Sequence, residues 1–448
     1  MNEPIILVGV LNKADSIDIE LFGAYKLEGY DKLIVNQKAQ ITMEPDQSLT
    51  IKPAEDSVIS GLSRIVLEPT SIDQNCIEIK EVIIGIQFHW ERKENQVFQG
   101  GIEFVPLEGR LQVINRIPTE RYLSSVISSE MNPDCHIELL KAHAIISRSW
   151  LLANINKSQK KYKPQNTMRI NDHEIYRWYD REDHTIFDVC ADDHCQRYQG
   201  ISKIDNPLAL KAVQETAGEV LWYNNEICDA RFHKSCGGIT EAYQYVWDDT
   251  ITPYLVSVVD DANPPAGHSL PMTQESEFEK WIMNNPPAFC NTHDQKILSK
   301  VLPDFDQETV NFYRWRVEYT RSELETLIQT KTGIDIGHLK DIIPLKRGES
   351  GRLYQIKLVG TKQELIIGKE LEIRKVLSYS HLYSSAFVVF KHNPDENGLP
   401  ERFELFGAGW GHGVGLCQIG AAIMAEKGYS YRQILSHYFR DSELKKIY

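Results

Sequence analysis

Two cysteines and two histidines occur within a dozen residues of one another, at His184, Cys190, His194 and Cys195. Thiolate sulfur and imidazole nitrogen are the usual ligands of tetrahedral zinc, and four of them leave no position for a catalytic water. The spacing is not that of a standard zinc finger, so a loop rich in these residues but without metal is the alternative. The residue types favour a structural zinc site.

A single glutamate stands at the end of an apolar helix face. The helix predicted from Pro118 onward carries Leu123, Val126, Ile127 and Glu130 on one side, because side chains three and four positions apart are neighbours. A carboxylate at that end is repelled by the negative end of the helix and desolvated by its neighbours, and both effects favour the protonated form. A general acid needs that form near neutral pH. The alternative is an exposed glutamate at a frayed helix end.

A glycine-rich segment, GAGWGHGVG, occupies residues 407–415. Its glycines surround Trp410 and His412, and we expect them to leave backbone amides open to close approach by a ligand. The segment lacks the spacing and the strand context of a dinucleotide site. A second aromatic patch contains Tyr245 and Trp247. The alternatives are a tight glycine turn for the first segment and packing in the core for the aromatic side chains.

These side chains require a scaffold, and the sequence predicts strands and helices in separate stretches. Short apolar runs between turn residues predict strands in the first 115 residues, and helices are predicted at 119–129 and 137–155. Segregated strands and helices indicate an α+β fold. The predicted parts are a β-rich N-terminal part (1–115), helices with the metal-binding loop (116–263), a helical insertion (264–345), and C-terminal strands with the glycine-rich loop and a helix (346–448).

The composition restricts the classes of partner. A net charge of −14 repels polyphosphate, so we expect no nucleic-acid partner. With 42% hydrophobic and 10% aromatic residues the chain can bury a core, which excludes a disordered protein. The N-terminal apolar run at 5–11 is broken by Gly9 and lacks the basic flank of a signal peptide. No run approaches the ~20 apolar residues of a bilayer span.

The other cysteines give no pattern. Eight cysteines in 448 residues are too few for a disulfide scaffold. Five of them occur singly, and free cysteine behaves as a small hydrophobic residue. We therefore predict buried free thiols at Cys76, Cys135, Cys228, Cys290 and Cys417.

Five stretches of the chain, in this order, resemble the stage II sporulation protein D (SpoIID/LytB) family, which contains peptidoglycan lytic transglycosylases and amidase enhancers. They are RIPTERYLSSVISSEMN with ELLKAHAIISRSWLL, FDVCADDHCQRYQG, FHKSCGGITEAYQYVW, SGRLYQIKLVG, and GAGWGHGVGLCQIGAAIMA. The resemblance covers nearly the whole chain and implies a SpoIID-like α+β fold, with strand-rich ends around a helical catalytic segment.

The resemblance also implies an activity. Glu130 falls on the catalytic glutamate of the family, and His184, Cys190 and Cys195 fall on its zinc ligands, with His194 adjacent. The implied reaction cleaves the β-1,4 bond between N-acetylmuramic acid and N-acetylglucosamine in glycan strands, preferably without stem peptides, and leaves 1,6-anhydro ends. One structural Zn²⁺ per chain is implied. The implied partners are glycan strands and a cell-wall amidase, in the cell envelope, the periplasm or the extracellular space.

Such a substrate suits the two aromatic segments. Aromatic faces pack against the apolar face of a pyranose, and backbone amides bind N-acetyl and hydroxyl groups. The candidate sugar contacts are Trp410, Gly411, His412, Gly413, Tyr245 and Trp247.

Two other functions remain open at this point. If only three side chains bind zinc, the fourth position is open and the chain can be a zinc hydrolase, with the chemistry on the metal. The second alternative is a non-catalytic amidase enhancer or glycan-binding protein. Glu130 on an apolar helix face speaks against the second alternative.

Overall fold

The computed structural model describes a mixed, strand-rich protein, in agreement with the predicted combination of strands and helices. Every helix in the described residues is too short or too polar to span a membrane. The described residues are 2–13, 16–84, 92–132, 134–159, 168–177, 184–192, 194–202, 204, 207–264, 270–301 and 309–448.

The N-terminal residues form strands, as their alternating hydrophobicity predicts. In the strand Ser16–Phe22, for example, Ile17, Ile19 and Leu21 are buried and the residues between them are not. The strands are β1 (Ile5–Lys13), β2 (Ser16–Phe22), β3 (Ala24–Leu27), β4 (Leu33–Val35), β5 (Lys38–Met43), β6 (Leu49–Pro53), β7 (Ile59–Leu62), β8 (Ile65–Pro69), β9 (Cys76–Ile84), β10 (Arg92–Phe98), β11 (Gly101–Leu107) and β12 (Arg110–Pro118).

Two helices follow at the predicted positions. Pro118 is the N-cap of the first, where the missing N–H of proline has no cost. The polar region after the second helix holds three short strands among its described residues. The elements are α1 (Thr119–Glu130), α2 (Ile137–Gln159), β13 (Arg169–Asn171), β14 (Glu174–Tyr176), β15 (Val189–Cys190) and α3 (Pro207–Glu215).

The C-terminal half contains shorter elements. A capping box begins one helix at Thr320, and Gly333 ends it in the left-handed conformation. The elements are β16 (Glu219–Tyr223), β17 (Glu226–Ile227), β18 (Phe232–His233), α4 (Tyr243–Val246), α5 (Glu275–Met283), α6 (Gln295–Val301), β19 (Arg314–Thr320), α7 (Arg321–Thr332), β20 (Leu339–Arg347), β21 (Leu353–Gly360), β22 (Glu364–Gly368), α8 (Glu370–Val376), β23 (Phe387–Pro394), β24 (Pro400–Ala408), β25 (Leu416–Cys417), α9 (Gln418–Glu426), α10 (Tyr431–Tyr438) and β26 (Glu443–Lys446).

The stretch 264–345 is not purely helical, so the prediction of a helical insertion is only partly correct. It contains α5, α6 and α7, but also β19 and most of β20. The strand β19 pairs with β24 along its whole length, and β20 pairs with β21. Apolar and aromatic side chains alternate with charged ones in the sequence RWRVEYT of β19, and that period of two is typical of a strand.

The chain divides into two compact units. The first contains Met1–Pro133, Arg181–Glu219 and Lys446–Tyr448, and the second contains Asp134–Asp180 and Val220–Lys445. In the first unit, the described strands form a seven-stranded sheet in the order β15-β1-β12-β11-β8-β3-β4 and a six-stranded sheet in the order β10-β9-β2-β5-β6-β7.

The second unit has smaller sheets among its described residues. The largest has five strands in the order β13-β14-β22-β21-β20, and β19-β24-β23 form another. One core cluster packs the inner faces of these two sheets around α7 and α8, with Leu324, Ile356 and Phe403 fully buried. The short strands β18 and β25 pair in parallel and bring the segment around 233 to the segment around 417.

Candidate functional site

Glu130 is the last residue of α1. The apolar face of the helix is as predicted, since Leu123, Val126 and Ile127 are completely buried. Glu130 itself is half-buried, and the chain leaves the helix at Met131 in an extended conformation. The Oε1 atom of Glu130 accepts a hydrogen bond of 3.1 Å from the backbone N–H of Arg197. The helix end and a backbone donor from a distant segment therefore position this carboxylate together.

The segment that supplies this donor is bound along α1. The N–H of Gln199 donates to the Ser125 hydroxyl at 3.1 Å. The Tyr198 ring stacks on the Tyr122 ring, with centroids 5.1 Å apart and an interplanar angle of 20°. The buried hydroxyl of Tyr198 donates to the side chain of Asn115 on β12. Because each of these contacts is buried, the segment 197–199 has one defined position against the helix.

The four predicted metal ligands come together in the same unit. The ligand atoms of His184, Cys190, His194 and Cys195 all lie within 4.8 Å of one another. His184 Nε2 is 3.3 Å from Cys195 Sγ, and His194 Nδ1 is 3.5 Å from Cys195 Sγ and 3.8 Å from Cys190 Sγ. Tetrahedral zinc, with bonds of about 2.3 Å to sulfur and about 2.0 Å to nitrogen, separates such ligand atoms by about 3.6 Å. The donor set fits one zinc ion.

The protein favours the charged form of one ligand. Hydrogen bonding from Cys195, with smaller contributions from His184 and His194, holds the pKa of the Cys190 thiol well below its usual range. The thiolate is the form of cysteine that binds metal.

The cluster is attached to the large sheet of its unit. Strand β15 pairs in parallel with β1, so that Cys190 lies opposite Gly9. The N–H of Leu7 donates to the Asp188 carboxylate at 2.9 Å. A side chain at Gly9 would place its Cβ 2.6 Å from the ring of Phe187, and only glycine permits that approach. Since Cys195 precedes Arg197 by two residues, the metal loop and the donor to Glu130 are one continuous segment.

In the second unit, two of the predicted sugar contacts touch each other. The rings of Trp247 and His412 are 4.9 Å apart, and both side chains are half-buried. Burial lowers the pKa of His412 well below its usual range, so the ring is neutral. Its Nδ1 accepts the N–H of Val414 at 3.0 Å, which leaves the proton on Nε2.

The other aromatic candidates belong to separate groups. The Trp410 ring lies 4.2 Å from the Tyr383 ring, and Lys234 Nζ is 4.8 Å from the Trp410 ring centre. Tyr245 packs at 5.3 Å on Tyr354. Trp410 and Tyr245 are both half-buried. The aromatic candidates therefore form three groups and not one continuous platform.

Two amides of the glycine-rich segment that were expected to be open to a ligand are hydrogen-bonded within the protein. The N–H of Trp410 donates to Ser235 O at 2.8 Å, and the N–H of Gly411 donates to Tyr383 O at 2.8 Å. The absence of a side chain at a glycine instead lets the backbone pass close to a neighbouring group. Gly413 has a φ of +84°, and a Cβ there would lie 2.4 Å from the guanidinium carbon of Arg352.

Sequence reasoning missed a buried polar cluster beneath this segment. Glu241 is fully buried, accepts a 2.6 Å hydrogen bond from Ser350 Oγ and bonds Gly413 O through its own N–H. Burial raises the pKa of Glu241 to about 7, although Ser350 and Arg352 partly oppose that shift. No local spacing in the sequence predicts this cluster, because Glu241 and Ser350 are about 110 residues apart. The one local signal is the acidic residue in ITEAYQYVW.

Comparison with known proteins agrees with the resemblance. Residues 107–223 match a family described as stage II sporulation protein. This segment belongs to the SpoIID family. The SpoIID segment contains α1, α2, Glu130 and all four residues of the metal cluster. Residues 241–415, which include Trp247 and the glycine-rich segment, match a second family described only as a domain of unknown function.

Curated relatives extend the similarity over most of the chain. The amidase enhancer of Bacillus subtilis is 24% identical over 72% of this chain, but the match spans only 40% of the length of that relative. Stage II sporulation protein D of Bacillus amyloliquefaciens is 24% identical over 74% of this chain and 76% of its own length. Its Bacillus subtilis counterpart is 23% identical, with 75% and 76% covered.

Proposed function

We propose that this protein is a lytic transglycosylase that cleaves the β-1,4 bond between N-acetylmuramic acid and N-acetylglucosamine in peptidoglycan. The observation that carries the proposal is the position of Glu130, a half-buried carboxylate at the end of an apolar helix whose Oε1 accepts the Arg197 N–H. Membership of the segment 107–223 in the SpoIID family supports a role on the cell wall. We expect the protein to act in the cell envelope, where that substrate lies.

Glu130 acts first as an acid and then as a base. The Arg197 N–H can only donate, so Oε1 is the carbonyl oxygen of the acid form and Oε2 carries the proton. Oε2 gives this proton to the oxygen that leaves the anomeric carbon. The N–H then stabilises the carboxylate that forms. The carboxylate takes the proton of the C6 hydroxyl of the same muramic residue, and that oxygen bonds to the anomeric carbon and closes the anhydro ring.

One carboxylate is sufficient for this reaction. Hydrolytic glycosidases use two, because water or the enzyme must attack the anomeric carbon. Here the nucleophile is part of the substrate, and an intramolecular hydroxyl has a high effective concentration. In this proposal zinc is structural: four ligands fill its coordination sphere, and their loop holds Arg197 against Glu130. The chemistry of the zinc hydrolase alternative would need an open fourth position.

The product distinguishes the proposal from hydrolysis. Digestion of purified glycan strands should give sugars that end in 1,6-anhydro-N-acetylmuramic acid and carry no reducing end, because no water enters the bond. Mass spectrometry before and after borohydride reduction measures this. Products heavier by one water, with a reducible end, would mean a hydrolase and a second catalytic group.

The net charge of −14 predicts a preference among glycans. Stem peptides carry carboxylates, and like charges repel over ~30 Å at 0.01 M salt but over only ~8 Å at physiological salt. Strands stripped of peptides should therefore be cleaved faster than intact strands at about 0.01 M salt. The difference between the two cleavage rates should be smaller at about 0.15 M salt. Initial rates on both glycans at both salt concentrations test this. Equal rates at low salt would reject the electrostatic argument without affecting the transglycosylase assignment.

The relative named amidase enhancer supports a second candidate, a protein that binds glycan and assists a cell-wall amidase. The aromatic groups of the second unit suit glycan binding in either case. The same digestion, run with and without an added amidase, separates the two functions. An enhancer gives product only when amidase is present, whereas a transglycosylase gives anhydro ends alone.

A further inference from the structure

Three cysteines from distant parts of the sequence meet in the core of the second unit. The Sγ atoms of Cys236, Cys290 and Cys417 and a carboxylate oxygen of Asp260 all lie within 4.8 Å of one another, and all four side chains are buried. We propose that they bind a second structural zinc ion, independent of the cluster at 184–195. The inference does not rest on the proposed enzymatic function.

The distances suit one ion. Cys236 Sγ and Cys290 Sγ are 3.4 Å apart. Two thiolates bound to one tetrahedral zinc, each at about 2.3 Å, are about 3.8 Å apart. Three sulfurs and one oxygen complete the tetrahedron and exclude water, which is the arrangement of a structural site. Thiolate ligands select zinc over the hard cations magnesium and calcium.

The surrounding backbone is arranged for thiolates. The N–H groups of Cys236 and Gly420 donate to Cys417 Sγ at 3.2 and 3.4 Å, and the N–H of Gly238 donates to Cys236 Sγ at 3.3 Å. Cys417 is also the N-cap of α9, where the positive end of a nine-residue helix stabilises a negative sulfur. Thiols kept only for packing in an apolar core would not need these three backbone donors, two to Cys417 and one to Cys236.

The carboxylate ligand is oriented by its own partners. The N–H of Cys290 donates to Asp260 Oδ2 at 2.9 Å, and the Tyr438 hydroxyl donates to Oδ1 at 2.6 Å. Asp260 is completely buried. A buried carboxylate is costly unless a cation or several donors compensate it, and hydrogen bonds that fix the orientation of a ligand are typical of metal sites.

A half-buried arginine near the cluster supplies positive charge. Three thiolates and one carboxylate around a divalent ion leave a net charge of about −2. The half-buried Arg314 donates to the carbonyl oxygens of Gly237 and Ile282 at 2.8 and 3.0 Å, and its buried Nη2 has no hydrogen-bond partner among the described residues. A buried guanidinium nitrogen without an acceptor favours a negative neighbour, and the zinc–thiolate group beside Gly237 would provide it.

The ion would connect three segments that have little regular structure of their own. Cys236 follows β18, Cys290 lies between α5 and α6, and Cys417 ends β25 and begins α9. The pairing of β18 with β25 contributes only the register pairs Phe232–Leu416 and His233–Cys417. A metal at this junction therefore stabilises the second unit where its hydrogen-bonded sheet is smallest.

Metal analysis of the full-length protein tests the proposal. The wild type, purified with reductant and without chelator, should contain two zinc ions per chain by mass spectrometry of the metal. Cys290→Ala should retain one, and so should Cys195→Ala in the first cluster. Cys228→Ala is the matched control, since Cys228 is buried in the same unit outside the cluster, and it should retain two. A wild type with one zinc that Cys195→Ala loses entirely would overturn the proposal.

Two further measurements do not depend on the folding of a Cys290 variant. Cobalt added to a Cys190→Ala, Cys195→Ala double variant should give the intense thiolate-to-cobalt absorption of a tetrahedral site, and its absence would overturn the proposal. Alkylation of the wild type, denatured with chelator but without reductant, should modify all eight cysteines. Two alkyl groups fewer, mapped to Cys236 and Cys290, would mean a disulfide in place of the metal.

Discussion

Replacement of Glu130 by Gln should abolish most cleavage without unfolding the protein. Glutamine has nearly the same shape, and its carbonyl oxygen can still accept the Arg197 N–H that binds Oε1 in the wild type. It cannot give a proton to the leaving oxygen and then take one from the C6 hydroxyl. Loss of one proton-transfer group reduces kcat by ~10²–10⁴-fold. The rate of anhydro-sugar release measures the loss, and the melting temperature should remain that of the wild type.

The matched control is Glu28→Gln, at an exposed glutamate of the same unit that pairs only with exposed Arg64 among its described contacts. That variant has the same change of charge and should keep full activity, since exposed ion pairs contribute little to stability. Activity of Glu130→Gln within a few-fold of the wild type would exclude the single-acid mechanism. A lower activity accompanied by a lower melting temperature would instead indicate a structural role for the glutamate.

The features that the sequence predicted well depend on residues close together in the chain. The face of α1 follows from three- and four-residue spacing, and the structure has this helix end at Glu130, one residue beyond the predicted end. The cluster His184, Cys190, His194 and Cys195 lies within twelve positions, so the short loop itself limits how far apart the ligands can be. For such features local geometry nearly determines the outcome.

The features that the sequence did not predict depend on distant pairing or on the backbone. Cys290 and Cys417 were predicted as single buried thiols; they are buried, but the pairing of β18 with β25 brings Cys417 to Cys236, 181 positions away. The donor to Glu130 is the backbone N–H of Arg197, and any residue except proline has that group. A sequence pattern carries no signal for either feature.

The glycine-rich segment shows a third limit on what can be predicted from sequence. Four of its glycines have left-handed φ angles, and such angles serve two opposite purposes. They can expose amides to a ligand, or they can let a chain pass close to buried groups. At Gly413, which contacts the Arg352 guanidinium, the second purpose applies. Composition alone does not distinguish the two, because the deciding contact is with a residue 61 positions away.

Replacement of Cys195 by Ser should remove the first zinc ion and destabilise the first unit. Metal-ligand free energy is folding free energy when a loop supplies the ligands. Loss of a structural metal belongs to the changes that cost about 4 kcal/mol or more, and each kcal/mol lowers the melting temperature of a domain of this size by about 2–4 °C. We expect a decrease of about 10 °C by differential scanning calorimetry. Cys76→Ser, at a half-buried free cysteine of β9 in the same unit, should change it far less.

The same variant tests whether the metal loop positions the catalytic acid. Cys195 precedes Arg197 by two residues, so a loop released from zinc no longer holds the Arg197 N–H against Glu130 Oε1. Below the melting temperature of the variant, kcat should fall by about tenfold or more, because an N–H that stabilises a developing carboxylate is lost. KM should change little, since neither residue is a predicted sugar contact. Unchanged zinc content and melting temperature would mean that the cluster binds no metal. Lost zinc with unchanged kcat would mean that the loop stabilises the unit without positioning Glu130.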